Sequence, residues 1–148
     1  MSELDFGLSG LELTKDTTAV YTLYALEGDP SLVVATALET NKNYYNAVLR
    51  KAKKNLRRIR SGTVSAEQLR EQRDDDRVLF AKHVVKGWNN LVDSKHKPVP
   101  FSEKNALSFL KQLPDWIFDE VRSWCGDANN FLAEDDMTEE EVEETGEL

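Results

Sequence analysis

The sequence has few of the residues that enzymes use most often for catalysis or for metal binding. Its 148 residues include one cysteine, two histidines and seven scattered glycines. A single cysteine can neither close an intrachain disulfide nor build a cysteine-based zinc site, and no glycine-rich loop is present to hold a phosphate. No serine lies in the glycine pattern of a nucleophile elbow. We therefore expect no enzymatic activity, no cofactor and no metal, in a chain suited to a reducing cytosol.

Long apolar runs are also missing. The longest span only a few residues, as in Leu32 to Ala35, and the N-terminus carries acidic rather than basic residues. The sequence therefore predicts no transmembrane helix, no secretory signal and no membrane partner. Hydrophobic residues still make up 40 % of the chain, including three Trp, four Tyr and six Phe. That is enough for one compact core.

The net charge of −8 is concentrated near the C-terminus. Residues 134–148 carry nine acids and no base, and the rest of the chain has a charge of +1. Residues 50–73 hold nine Lys and Arg against two Glu. The composition predicts a disordered acidic tail over 134–148, which the basic segment could attract.

The N-terminal end of the domain is predicted to be a β-hairpin. Residues 1–18 are polar and lack a sustained period, which indicates a flexible N-terminal arm. Two segments rich in β-branched and aromatic residues, 19–26 and 32–36, flank turn residues at 27–30. This pattern predicts a hairpin over 19–37, with a helix over 32–39 as the alternative.

Between residues 45 and 126, apolar residues recur with the spacing of a helix face, and this pattern predicts several helices separated by short loops. One helix spans the residues after Asn41, and a capping box at Ser65 opens a second helix that continues to Val92, with a weak point at Asp74–Asp76. Two more helices follow, at 103–113 and after Pro114. The expected fold is mainly α (α+β): one α-rich domain over 19–133 with a small N-terminal hairpin and an acidic tail.

The first helix has an apolar face and a basic face. The basic face is the first candidate binding surface, formed by Arg50, Lys53, Lys54, Arg57 and Arg58. It fits a solvated helix surface, an acidic protein partner (including the chain's own tail) or nucleic acid. Nucleic acid is disfavoured because the pI is near 4.8 and no aromatic residue lies among the basic ones to stack on bases.

The last helix carries the other candidates. Trp116 and Phe118 are two positions apart and cannot face the same way, so one of them is predicted to be an exposed partner anchor. Asp115 and Asp119 share a helix face as a carboxylate pair, although placement at a helix N-terminus explains them better. Cys125, at the end of an apolar face, is predicted to be buried and inert.

Several segments resemble the tail assembly chaperone family of long-tailed bacteriophages. The resemblance covers about residues 19–132, and the segments that carry it are 28–30, 40–45, 76–88, 93–106, 109–119 and Asn130-Phe131. One departure is the turn after Asp93, where Lys95-His96-Lys97 stands in place of a frequent glycine.

The resemblance implies a non-enzymatic chaperone that acts in the host cytoplasm and is absent from the mature virion. Its implied partners are the tape-measure protein and, through a longer frameshifted form, the tail-tube protein, with self-association on the client. Two alternatives stay open: a nucleic-acid-binding protein that uses the basic helix 50–60 and is gated by the acidic tail, and a structural tail protein of the finished virion.

Overall fold

Residues 4–14, 16–59 and 66–132 are described by a computed structural model, with the side chains of 54–59 excepted. A three-stranded antiparallel sheet, whose strands lie side by side in chain order, packs with four α-helices. The elements are β1 (Thr18–Thr22), β2 (Ser31–Ala35), α1 (Lys42–Ile59), α2 (Ala66–His83), β3 (Val85–Asn89), α3 (Glu103–Gln112) and α4 (Asp115–Cys125). This mainly helical fold with an N-terminal hairpin confirms the predicted fold class. The acidic tail predicted at 134–148 lies outside the described residues.

The predicted hairpin is present, with a shorter first strand. β1 pairs with β2 from Thr18 opposite Ala35 to Thr22 opposite Ser31. The first strand ends at Thr22 rather than at residue 26, because the backbone N–H of Leu23 donates to the carbonyl of Pro30 (2.8 Å) and closes the connection. Gly28 takes a φ of 85° within this connection, a conformation that glycine adopts without strain.

The second helix is shorter than predicted, because α2 ends at His83 and the chain continues as β3. The sequence places Val85 and Trp88 on a helical stripe, and this prediction is wrong: they belong to a strand that pairs with β2, with Trp88 opposite Leu32. Asn41 fixes the junction, since its side-chain amide donates to the carbonyls of His83 (2.8 Å) and Thr36 (2.9 Å).

The three aspartates of α2 do not bend or break the helix, contrary to the sequence-based expectation. Each carboxylate has a cation on a different side of α2. Asp74 lies 3.6 Å from Arg77, Asp75 lies 3.1 Å from Lys51, and Asp76 lies 2.7 Å from Arg122. These ion pairs offset the like-charge repulsion, so the helix remains continuous.

The last two helices begin and end where the sequence predicts. The hydroxyl oxygen of Ser102 accepts from the backbone N–H of Asn105 (3.0 Å) and caps α3. Pro114 directly precedes α4, and Gly126 follows it. Phe131 folds back onto this helix, with its ring 5.5 Å from that of Trp124.

The core lies between the sheet and the helices. A line of edge-to-face aromatic rings runs through it from Tyr44 to Phe80 (5.4 Å) and on to Phe118 (5.4 Å). The hydroxyl of Tyr44 donates to the Asp76 carboxylate at 2.7 Å. Burial, together with the charge of and hydrogen bond to Asp76, raises the pKa of Tyr44, so it stays a neutral donor.

The turn after Asp93 stores backbone strain at His96. His96 takes a φ of 62°, a left-handed conformation that costs a residue with a Cβ about 1 kcal/mol. The Asp93 carboxylate holds the turn by accepting from the backbone N–H groups of Lys95 (2.8 Å) and Lys97 (3.0 Å).

Replacing His96 by glycine should therefore stabilise the protein by about 1 kcal/mol, because glycine has no Cβ to clash in this conformation. Urea unfolding followed by tryptophan fluorescence measures the change. Lys95→Gly is the matched control. Its φ is not positive, so the same substitution should destabilise. A destabilising effect of His96→Gly as large as that of Lys95→Gly would contradict the assignment of strain to His96.

Candidate partner-binding surface

The helix α1 uses only part of its apolar surface for the core. Tyr44 and Ala47 are buried, while Tyr45 and Leu49 are 37 % and 47 % exposed, and Ala52 is also exposed. Residues 45, 49 and 52 lie on one face of the helix at i, i+4 and i+7. We call these three residues the α1 apolar stripe.

The orientation of α1 is fixed by its contacts with α2. Tyr44 bonds to Asp76, and the ammonium of Lys51 lies 3.1 Å from the Asp75 carboxylate. Each residue turns a helix by about 100°, so a helix that points Tyr44 at α2 points its neighbour Tyr45 away from it. The α1 apolar stripe consequently faces solvent and lies beside the face of α1 that carries the buried residues Tyr44 and Ala47.

Basic residues flank the α1 apolar stripe. Arg50 and Lys53 are exposed, as expected for the predicted basic face. Lys54, Arg57 and Arg58 belong to the same helix, but their side chains lie outside the described residues. The described part of this surface therefore combines two turns of apolar helix with positive charge along one edge.

The structure separates the two aromatic candidates on α4. Trp116 is 58 % exposed, whereas Phe118 is fully buried. The spacing argument that one of the pair is exposed is confirmed. The prediction that Phe118 itself binds a partner is wrong. Its ring packs against Phe80, and the guanidinium carbon of Arg77 lies 4.7 Å from the ring centre.

The carboxylate pair of α4, Asp115 and Asp119, forms ion pairs with arginines. Arg73 lies 3.3 Å from Asp115 and 3.0 Å from Asp119, and Arg122 lies 3.2 Å from Asp119. Hydrogen bonds from Arg73 and then from Arg122 hold the pKa of Asp119 below its usual value. A general acid needs a raised pKa, so this arrangement favours a structural role for the pair.

A scan against protein-family models matches residues 40–144 to a family described as the YdaY prophage protein. The chain belongs to this family. The matched range begins just before α1 and contains the α1 apolar stripe, whereas β1 and β2 lie outside it. The family match confirms that the protein is phage-derived, as the resemblance implied. The description of the family names no role in tail assembly. No curated protein and no solved structure gives a significant match.

The single cysteine of this prophage family member is not an activated nucleophile. Cys125 is fully buried, and burial, with the negative charge of Asp76, raises the pKa of its thiol to about 12. A reactive cysteine needs a lowered pKa and access to solvent. Over the described ranges the structure holds no cluster of metal-ligating side chains and no helix that is long and apolar enough to cross a membrane.

Sequence reasoning missed the exposure of Tyr45 and Leu49. It placed both on the apolar face of α1 and, within this helix, assigned the binding role to the basic face. A signal was present in the consecutive tyrosines, Tyr44 and Tyr45, because adjacent residues of a helix point about 100° apart, so a residue beside a core position lies toward the edge of the apolar face.

Acid should remove the contribution of Asp119 to stability. Its pKa is lowered in the folded state, so this contribution is present above its usual pKa of 3.8 and is lost as the pH falls through the lowered value. Asp119→Asn should be less stable than the natural protein at pH 7, and the difference should vanish at low pH. Urea midpoints from pH 7 to pH 2 measure it, with Glu120→Gln as the exposed control. A difference that is constant over this range would contradict the assignment.

Proposed function

We propose that the chain is a bacteriophage tail assembly chaperone that binds the tape-measure protein through the α1 apolar stripe and helps recruit tail-tube subunits. The observation that carries the proposal is the exposed stripe of Tyr45, Leu49 and Ala52 on a helix anchored firmly to the core. Membership of a prophage family supports a role in a phage. The segments that resemble tail assembly chaperones support the particular role.

The geometry suits a helical client. The stripe extends over eight residues, or about 10 Å of helix, which matches two turns of an apolar helix face laid against it. The basic edge at Arg50 and Lys53 favours a client helix with acidic residues beside its apolar face. Because one such contact is small, several copies along a long rod are needed for tight binding.

The proposed role is non-enzymatic. The only thiol is buried with a raised pKa, and the carboxylates of Asp115 and Asp119 on α4 are held by arginines. These groups support the packing of helices rather than a reaction at an exposed site. The protein would act in the host cytoplasm by covering the client and would leave before the tail is complete.

Co-expression tests the proposal. The chain and the tape-measure protein of the same prophage should co-purify, and the client should remain soluble only when the chain is present. A tagged tail-tube protein should join this complex. Mass spectrometry of purified virions should not find the chain, and its presence there at structural copy number would favour the alternative of a finished-tail component.

The nucleic-acid alternative is separated by substitution. Arg50→Glu with Lys53→Glu would abolish a salt-sensitive affinity for DNA, whereas Leu49→Ser would leave that affinity intact. The proposal expects no DNA binding by the full chain at physiological salt. DNA binding that is lost in the Arg50→Glu, Lys53→Glu variant and retained in Leu49→Ser would favour the nucleic-acid alternative over the proposed function.

A further inference from the structure

One edge of the sheet lacks the features that normally prevent an edge strand from pairing with another chain. Strand β1 lies at this edge, and it contains no lysine, no proline and no register irregularity. The strand at the opposite edge, β3, carries exposed Lys86 and has a register irregularity where it pairs with β2. Proteins use such charges and bulges to protect a strand edge. The contrast indicates that β1 is the edge open to a partner.

The strand register shows which backbone groups of β1 point away from the sheet. The N–H of Leu23 donates to the carbonyl of Pro30, which follows β1 and β2 in the same register. Bonded and non-bonded pairs alternate along an antiparallel ladder, so every second residue of β1 turns its N–H and its carbonyl away from β2. These residues are Thr18, Val20 and Thr22. We call their three N–H groups and three carbonyls the β1 edge.

A hydrogen bond on the far side of β2 agrees with this assignment. Ala35, which pairs with Thr18, donates its N–H to the carbonyl of Val84 at 2.7 Å. The backbone of Ala35 therefore points toward the end of α2 and away from β1. Among residues 4–14, 16–59 and 66–132, no other element forms a backbone hydrogen bond to the β1 edge.

The side chains of β1 divide between the core and solvent. Ala19 and Tyr21 pack against the core. Because side chains alternate along a strand, the residues of the β1 edge present theirs on the opposite face, where Val20 is 57 % exposed. Residues 17–26 contain no charged side chain. Two copies of this strand can therefore approach each other without repulsion between like charges.

We propose that the β1 strands of two copies pair antiparallel about Val20 and join the two sheets into one. In this register the five-residue strands overlap completely. Val20 lies opposite Val20 of the second copy, and Thr18 lies opposite Thr22 of the second copy. All groups of the two β1 edges are then bonded, with two hydrogen bonds for each of the three pairs. A two-fold axis relates the copies, so the association closes as a dimer.

The partner is a second copy because β1 is complementary to itself. The paired positions bring valine beside valine and threonine beside threonine, which are favourable cross-strand neighbours. Interfaces carry about one hydrogen bond per 100–200 Å², so the bonds of this pairing correspond to roughly 600–1,200 Å² of buried surface. That area is typical of weak, reversible complexes. The inference goes beyond the proposed function and needs no client.

Sedimentation velocity of the purified full chain over about 5 to 500 μM, the range of weak complexes, tests the dimer. The mass should rise with concentration from one chain of 16.9 kDa toward two chains and no further. Val20→Pro should abolish this rise, because proline removes an N–H of the β1 edge and no hydrogen bond to β2. Val20→Lys should raise the dissociation constant at least about tenfold by placing like charges opposite each other.

Val20→Thr is the matched control for both variants. It keeps the N–H and a β-branched side chain, so it should retain the dimer. Circular dichroism verifies that each variant is folded.

Cysteine substitutions test the register. Val20→Cys should form a disulfide-linked dimer in a glutathione redox buffer, because Cα atoms about 5.5 Å apart in a bonded pair suit a disulfide. Thr18→Cys alone and Thr22→Cys alone should remain unlinked, whereas an equimolar mixture of the two should become linked. The natural Cys125 is fully buried and does not compete.

Three results would overturn the inference. The first is a natural chain that stays monomeric at the highest concentration. The second is a dimer that persists in folded Val20→Pro and Val20→Lys, since it would use another surface. The third is a mixture of Thr18→Cys and Thr22→Cys that links no better than either variant alone. No tape-measure protein is present in these experiments, so none of the results bears on the proposed function.

Discussion

Replacing Arg77 by methionine should lower the free energy of unfolding by about 3 kcal/mol, because the change removes a buried charged donor that joins three helices. One guanidinium nitrogen donates to the carbonyls of Leu110 and Leu113 at the end of α3. The other terminal nitrogen donates to Asp115 at 2.6 Å, in the first turn of α4. Methionine keeps an apolar stem of similar length but leaves both carbonyls without this donor.

Urea unfolding should show the effect as a fall in the midpoint of about 1.5 M at an unchanged slope. Arg70→Met is the matched control, since Arg70 is exposed on the same helix, and it should change stability by about 0.5 kcal/mol or less. Arg77→Lys keeps the charge but not the planar fork of donors, so it should fall between the two. Equal midpoints for Arg77→Met and Arg70→Met would show that Arg77 does not join the helices as described.

The elements that the sequence predicted best are those whose ends depend on a few adjacent residues. Ser102 caps α3 through its own hydroxyl, and Pro114 and Gly126 lie directly before and directly after α4. The buried, inert state of Cys125 followed from its place on an apolar helix face. Such local signals do not depend on the rest of the fold, so the sequence alone carries them.

The third strand could not be predicted in the same way. Val84, Val85 and Trp88 fit a helical spacing, and the low helix propensity of Gly87 and of the two valines does not by itself identify a strand. The strand forms because β2 offers a free edge to which β3 pairs and because Asn41 caps the end of α2. Both partners lie some fifty residues earlier in the chain, and such long-range pairing overrides local propensity.

The sequence predicted which residues form the apolar face of α1, but it did not predict which part of that face is exposed to solvent. The amphipathic pattern of α1 is clear from the sequence, whereas the direction it faces depends on the bonds from Tyr44 to Asp76 and from Lys51 to Asp75. These contacts join residues about thirty or twenty-four positions apart. A pattern confined to one helix identifies the apolar residues, but it does not show which of them the core leaves exposed.

The proposed function predicts that Leu49→Glu weakens binding of the tape-measure protein about 30-fold, which corresponds to about 2 kcal/mol. Leu49 lies at the middle of the α1 apolar stripe and is 47 % exposed, so a carboxylate there would be desolvated against the client. The fold should tolerate the change because the core face of α1 is untouched. Titration calorimetry with a soluble helical fragment of the client measures the affinity, and urea unfolding verifies that stability is retained.

Three further variants locate the binding surface. Val20→Glu makes the same kind of change at an exposed apolar position on β1 and should leave the affinity unchanged. Arg50→Glu should reduce it mainly at low salt, because exposed charges act over distances that salt screens. Trp116→Ala tests the second exposed candidate, on α4. A larger loss for Trp116→Ala than for Leu49→Glu would move the client from α1 to α4, since the greatest loss marks the residue at the centre of the interface.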